Sequence, residues 1–186
     1  PNLFSVTIPN GVKKIGAGTF TACGKLTSII IPNSVTEIGE YAFNGSNLTS
    51  LTIPDSMAEI GKKAFTGCKS LASVSIPNSV VEIGEEAFFG CGFNSITIPN
   101  SVKKIGDSAF FSCSKLTSII IPNSATEIGN GAFSYSGLTS INIPNSVKEF
   151  GKYIFSGCNS LASITISDGV TRIWDDAFYY CNGLTS

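Results

Sequence analysis

Residues 26–39 read LTSIIIPNSVTEIG, and residues 116–129 read LTSIIIPNSATEIG, the same phrase with Ala125 in the place of Val35. One copy already carries a structural instruction. Leu26, Ile29 and Ile31 follow an L-x-x-L-x-L spacing whose last positions alternate, so Ile29 and Ile31 point to one side of an extended strand and Ser28 and Ile30 to the other. Pro32 ends the strand because it has no N–H to give a ladder, and Pro-Asn-Ser is turn chemistry. Val35 and Ile38 supply a second apolar pair, and Gly39 suits a left-handed or closely approached backbone. Ala42 and Phe43 follow, and a turn at the position held by Cys23 one unit earlier returns the chain to the next strand.

Outward from this phrase the chain is periodic. The closing proline falls at Pro9, Pro32, Pro54, Pro77, Pro99, Pro122 and Pro144, with Ser167 in the eighth place, and the steps alternate between 23 and 22 residues. A slower period lies on top. VKKIG at 12–16 recurs at 102–106 and SLAS at 70–73 recurs at 160–163, both shifted by 90 residues, or four repeats. A four-repeat block is therefore duplicated. The alternating step arises in one loop, where Ser46-Asn47-Leu48 is a residue shorter than Cys23-Gly24-Lys25-Leu26.

A unit this short cannot bury its own apolar groups. Stacked copies bury them as one continuous core, at about 4.8 Å per step along parallel strands. Each position then becomes a column. A leucine column runs from Leu3 through Leu26, Leu48 and Leu71 to Leu184, with Phe93 in one place. An aromatic spine runs from Phe20 through Phe43, Phe65, Phe88, Phe110, Phe133 and Phe155 to Phe178. Both read as core. A glycine column from Gly16 to Gly151 breaks at Trp174, in the last complete repeat.

Composition excludes several function classes. Of 186 residues only 13% are charged, the net charge is −1 and no Lys/Arg stripe is visible, so no nucleic-acid footprint is expected. The apolar runs are too short for a membrane helix, so this chain is not expected to insert into a bilayer. There is no histidine, which removes Ser-His-Asp and Cys-His catalysis and histidine metal sites. Glu37, Glu59, Glu82 and Glu127 share one column, interrupted by Lys14, Lys104 and Arg172, and read as a solvated face rather than a catalytic pair. The glycines follow the repeat and form no phosphate loop. The six cysteines share a single column in which Ser46 and Ser136 also stand, with no CxxC pair, and Cys68, Cys91 and Cys113 form a triplet that must leave one thiol unpaired. They read as small buried thiols interchangeable with serine. No catalysis, cofactor or metal is expected.

The strand positions that face away from the core form two columns. Ser28, Ser50, Ser73, Ser95, Ser118 and Ser140 make one; Ile30, Thr52, Ser75, Thr97, Ile120 and Asn142 make the other. These twelve residues are the candidate partner-binding face: uncharged, rich in hydroxyls, and suited to an extended protein partner held across several repeats. An inert spacer that presents another domain is the alternative reading. Tyr41, Tyr135, Tyr153, Tyr179 and Tyr180 lie elsewhere on the repeat with the charges and form a rival surface. The chain reads as one repeat domain, residues 1–186, of eight repeats and a partial ninth. It begins inside a repeat and shows no polar cap at either end. It is therefore read as a segment of a longer protein, with end-to-end self-association as a further expectation.

The recurring LTSIxIPNSVTEIGxxAFxxC resembles the BspA-like, or Treponema pallidum-type, leucine-rich repeats over essentially the whole chain. The resemblance implies a leucine-rich-repeat solenoid: a right-handed curved superhelix with a parallel sheet on the concave side and short strands and helical turns on the convex side. It places the Ser/Thr columns on the concave face. It implies a non-catalytic binding domain of an adhesin-like protein, at the cell surface or secreted, with host proteins such as fibronectin or fibrinogen as partners. Ser46, Ser136 and Ser167, and Gly18-Thr19 before Phe20, depart from the pattern.

Overall fold

The first six repeats each build the same two strands, and the last two build only the first of them. The first set is β1 (Ser5–Thr7), β3 (Ser28–Ile30), β5 (Ser50–Thr52), β7 (Ser73–Ser75), β9 (Ser95–Thr97), β11 (Ser118–Ile120), β13 (Ser140–Ile143) and β14 (Ser163–Ile166). The second set is β2 (Lys14–Ile15), β4 (Glu37–Ile38), β6 (Glu59–Ile60), β8 (Glu82–Ile83), β10 (Lys104–Ile105) and β12 (Glu127–Ile128). The computed structural model describes residues 2–185, and every strand pairing in it is parallel and joins one repeat to the next. The fold is a parallel solenoid.

The first set does not form one continuous sheet. Ladders join β1 to β3, β5 to β7, β9 to β11 and β13 to β14, and no ladder joins β3 to β5, β7 to β9 or β11 to β13. The breaks coincide with the 22-residue steps. Each of β5, β9 and β13 follows a short loop, Ser46-Asn47-Leu48, Cys91-Gly92-Phe93 or Ser136-Gly137-Leu138. The columns keep their alignment across the short step, since Thr49 N donates to Thr27 O at 3.1 Å and Thr139 N to Thr117 O at 3.2 Å. The short loops also press on the repeat before them. A Cβ on Gly92 or Gly137 would lie 1.9 Å or 2.3 Å from the carbonyl oxygen of Lys69 or Ser114.

The helical turns implied by the family resemblance do not form; among the described residues the segment around each spine phenylalanine is a run of turns. Two residues per repeat explain this. The residue two before the phenylalanine has positive φ, as at Gly18, Tyr41, Lys63, Glu86, Ser108, Gly131, Tyr153 and Asp176; so does the residue two after it, as at Ala22, Gly45, Gly67, Gly90, Ser112, Tyr135, Gly157 and Tyr180. Two left-handed residues four apart cannot share one right-handed helix. The freed amides donate to the following repeat instead, as Phe43 N does to Ala64 O at 2.9 Å and Phe110 N to Ala132 O at 2.8 Å. The turn segments thus stack by hydrogen bonds of their own.

Inside, the spine rings stack at centroid separations between 5.2 Å (Phe20 and Phe43) and 5.8 Å (Phe133 and Phe155), the offset geometry that the aromatic quadrupole favours. Phe43, Phe65, Phe88, Phe110, Phe133 and Phe155 are fully buried, as are Leu26, Leu48, Leu71 and Phe93. The columns loosen where a neighbouring repeat is missing: Leu3 is exposed, and Phe178 and Leu184 are only partly buried. The glycine column is a matter of close approach rather than left-handedness, since a Cβ on Gly129 would sit 2.5 Å from the backbone nitrogen of Asp107.

The six cysteines are free thiols, five of them buried. Each that has a repeat before it donates to the phenylalanine carbonyl of that repeat, as Cys113 Sγ does to Phe88 O at 3.1 Å and Cys158 Sγ to Phe133 O at 3.1 Å. Ser46 and Ser136 are buried in the same column and lie 3.3 Å from Cys68 Sγ and Cys158 Sγ. Serine and cysteine occupy one kind of site here. Burial pushes the Cys113 thiol up to about 12.

A candidate protein-binding face

The alternation read from the sequence places the candidate residues as expected. In β3, β5, β9 and β11 the central residue is buried and its two neighbours are exposed. Strand pairing then sets the columns side by side. Ser50 lies opposite Ser73 and Thr52 opposite Ser75; Ser95 lies opposite Ser118 and Thr97 opposite Ile120. In β13, Ser140 and Asn142 are exposed and pair with Ser163 and Thr165. Ser28 and Ile30 pair with Ser5 and Thr7. All twelve residues lie on one face.

The polar side chains of this face are not engaged within the molecule. None of its serine, threonine and asparagine side chains has a hydrogen-bond partner among the described residues. The neighbouring column behaves differently: Thr27, Thr49, Thr117 and Thr139 hydroxyls donate to carbonyls of the preceding repeat at 3.2 to 3.3 Å. Ile30 and Ile120 are 61% and 75% exposed, two apolar residues four repeats apart on an otherwise polar surface. The face carries no charge.

The charges gather over the second set of strands. Pairing puts Lys14 beside Glu37 and Lys104 beside Glu82 and Glu127, with ion pairs of 2.6 Å (Lys14–Glu37) and 2.8 Å (Lys104–Glu82). The hydrogen bond that Lys104 donates to the Glu82 carboxylate raises the lysine's pKa. Glu59 and Glu82 pair directly, a repulsive contact that Lys104 offsets. Glu59, Glu82, Lys104 and Glu127 line an open groove of about 870 Å³ that reaches Trp174. The Trp174 ring lies 3.3 Å from the Arg172 guanidinium carbon and 5.3 Å from Lys152 Nζ. Glu37 and Glu82 are paired with lysines, and among the described residues no group of three or more Cys, Asp or Glu could hold a metal ion. No helix among the described residues is long and apolar enough to cross a membrane.

The tyrosines divide. Tyr41 stands alone, with Lys63 Nζ 5.3 Å from its ring centroid. Tyr135, Tyr153 and Tyr179 surround a cleft of about 410 Å³ together with Phe111. Sequence reasoning left out Phe111. Its signal was available in the duplication, because the residue 90 places earlier is Thr21.

Known proteins agree with this architecture. No curated protein matches the chain. The BspA type Leucine rich repeat region matches residues 2–97 and 81–186, in 6 copies. A leucine-rich repeat protein from Bacteroides ovatus is 31% identical over 96% of this chain, with a TM-score of 0.78, and this chain spans 58% of that one. The Treponema pallidum leucine-rich repeat protein is 30% identical over 89% of this chain and 70% of its own, with a TM-score of 0.64. With its family pattern running through both halves, the chain belongs to the BspA-type leucine-rich repeat family.

Proposed function

We propose that this chain is a non-catalytic protein-binding domain of a cell-surface or secreted adhesin-like protein, and that its Ser/Thr face makes the contact. The observation that carries the reading is the run of exposed, internally unbonded side chains across consecutive parallel strands, with Ile30 and Ile120 standing out of it. Hydroxyls with no intramolecular partner lose little when they turn to a ligand. An extended protein laid across the strands meets the same chemistry at each step, weakly per repeat and usefully in sum. Membership of a leucine-rich repeat family supports a binding role, and an array without histidine or a metal cluster supports a role outside catalysis. Host matrix and plasma proteins such as fibronectin and fibrinogen are the partners to try first.

The test is a titration of the purified chain against a panel of such proteins, with the Thr52→Arg/Thr97→Arg variant alongside. Both positions are exposed, so the variant folds as the parent does. Saturable binding by the parent, lost in the variant, is the expected result. Equal affinity in the two would remove the Ser/Thr face from the contact.

A further inference from the structure

Four asparagines are followed by glycine: Asn10, Asn44, Asn130 and Asn182. In such a pair the glycine backbone nitrogen can attack the asparagine carboxamide carbon, because glycine has no side chain to shield it and little resistance to the rotation required. The attack also needs an amide that is not held elsewhere. By sequence the four pairs are alike. In the fold they are not.

Gly45 N donates to Thr66 O and Gly131 N to Lys152 O, both at 2.8 Å, in the bonds that stack one turn segment on the next. The Asn130 carboxamide is held as well, since Oδ1 accepts from Lys152 N at 2.9 Å and Nδ2 donates to Asp107 Oδ2 at 3.3 Å. Gly11 N donates to Ser34 Oγ at 3.1 Å. Gly183 N has no acceptor among the described residues. Its place in the repeat explains this. Asn182 and Gly183 are the middle residues of a turn closed by Leu184 N and Cys181 O at 3.2 Å. The same turn follows Cys23, Cys68, Cys113 and Cys158, and there the amides of Lys25, Ser70, Lys115 and Ser160 are equally unbonded. The free amide therefore belongs to this turn in the interior repeats too. Asn182-Gly183 is the one Asn-Gly pair that stands in it.

Asn182 is exposed, so water reaches the reacting atoms. Its side chain is held by one bond, from Nδ2 to Asn159 Oδ1 at 2.9 Å. Losing that amide has a local consequence. A carboxylate offers no donor to Asn159 Oδ1, so two acceptors face each other. An isoaspartate also adds a methylene to the backbone of the turn, just before Thr185 N donates to Ala162 O at 3.3 Å. The modification thus loosens the contact between the last two turns of this column and adds a negative charge there.

We propose that Asn182 is a site of spontaneous modification, converted to aspartate and isoaspartate in the folded chain while Asn44 and Asn130 are protected by the stacked turns. Gly183 N gives its proton to solvent base and bonds to Asn182 Cγ. The Cγ–Nδ2 bond breaks, and ammonia leaves with a proton returned from solvent. Water then opens the five-membered imide at either carbonyl, so one water is consumed and one ammonia released, with no change of oxidation state. The test is to incubate the folded 186-residue chain in mildly alkaline buffer and follow all four asparagines by peptide mass mapping, with a urea-unfolded sample alongside. In the folded chain Asn182 should convert faster than Asn44 and Asn130 by roughly tenfold or more, because a stacked turn must open before either of those can react. In urea the four should convert at similar rates. Asn182→Ser, which places there the residue found at Ser114 in the same turn, should remove most of the acidic species that ion exchange resolves from the folded parent. Conversion at Asn182 no faster than at Asn44 and Asn130 in the folded chain overturns the proposal. So does a faster rate at Asn182 that persists unchanged in urea, since the fold would then not be its cause.

Discussion

Phe110 shows what one residue of the repeat is worth. It is fully buried and stacks at 5.6 Å on Phe88 before it and on Phe133 after it. Phe110→Ala removes a ring from the middle of a continuous column, so about 3–5 kcal/mol of stability should be lost, read as a fall in the urea midpoint. The cysteine column makes a different prediction, because its members are acids held in a dry place. Below pH 9.0 the Cys113 thiol is protonated in the folded and unfolded chain alike. Between 9.0 and about 12 the unfolded chain gives up that proton while the folded chain retains it, so stability falls as pH rises through this window. In Cys113→Ser the hydroxyl can donate to Phe88 O as the thiol does, and Ser46 and Ser136 already stand buried in this column. The variant should lose less stability than the parent between pH 9 and 11; parallel curves would contradict the assignment. At this scale the sequence was readable wherever one residue type fills a column, as phenylalanine and leucine do. The left-handed positions were hidden, because Gly, Ala, Ser, Tyr, Lys, Glu and Asp share them and no composition marks them.

The strands were legible because two signals coincide on each: an alternation that sets the faces and a proline that sets the end. What the alternation could not show was how each strand meets its neighbour. A column of identical residues suggests an unbroken sheet, yet one residue fewer in a loop interrupts the ladder at every second step. A glycine inserted between Ser46 and Asn47 lengthens that step to 23 residues and should let β5 join β3. Slower amide hydrogen exchange at Thr52 would report the gained ladder, and unchanged exchange would show that loop length is not the cause. The helical turns failed for a related reason. Helix formation needs successive right-handed residues, and here the turn amides find better partners in the next repeat than within their own.

In the whole molecule, repetition separates support from contact. Core columns, stacked turns and the paired charges of the second strand set hold the array together, and none of them needs the Ser/Thr face. That separation made the face readable in advance: strand alternation decides which residues point outward, whatever the sheet pairing does. The aromatic cleft was not readable from periodicity, because it consists of departures from it; only comparison of the two halves isolates its residues. The outward Ser/Thr columns are the proposed contact surface. The most direct measurement is the affinity of the parent and of Thr52→Arg/Thr97→Arg for fibronectin and fibrinogen, with melting temperatures recorded in parallel. Saturable binding by the parent and none by an equally stable variant is the expected result. Equal binding by both, or none by the parent to any protein of a wider matrix and plasma panel, would contradict it.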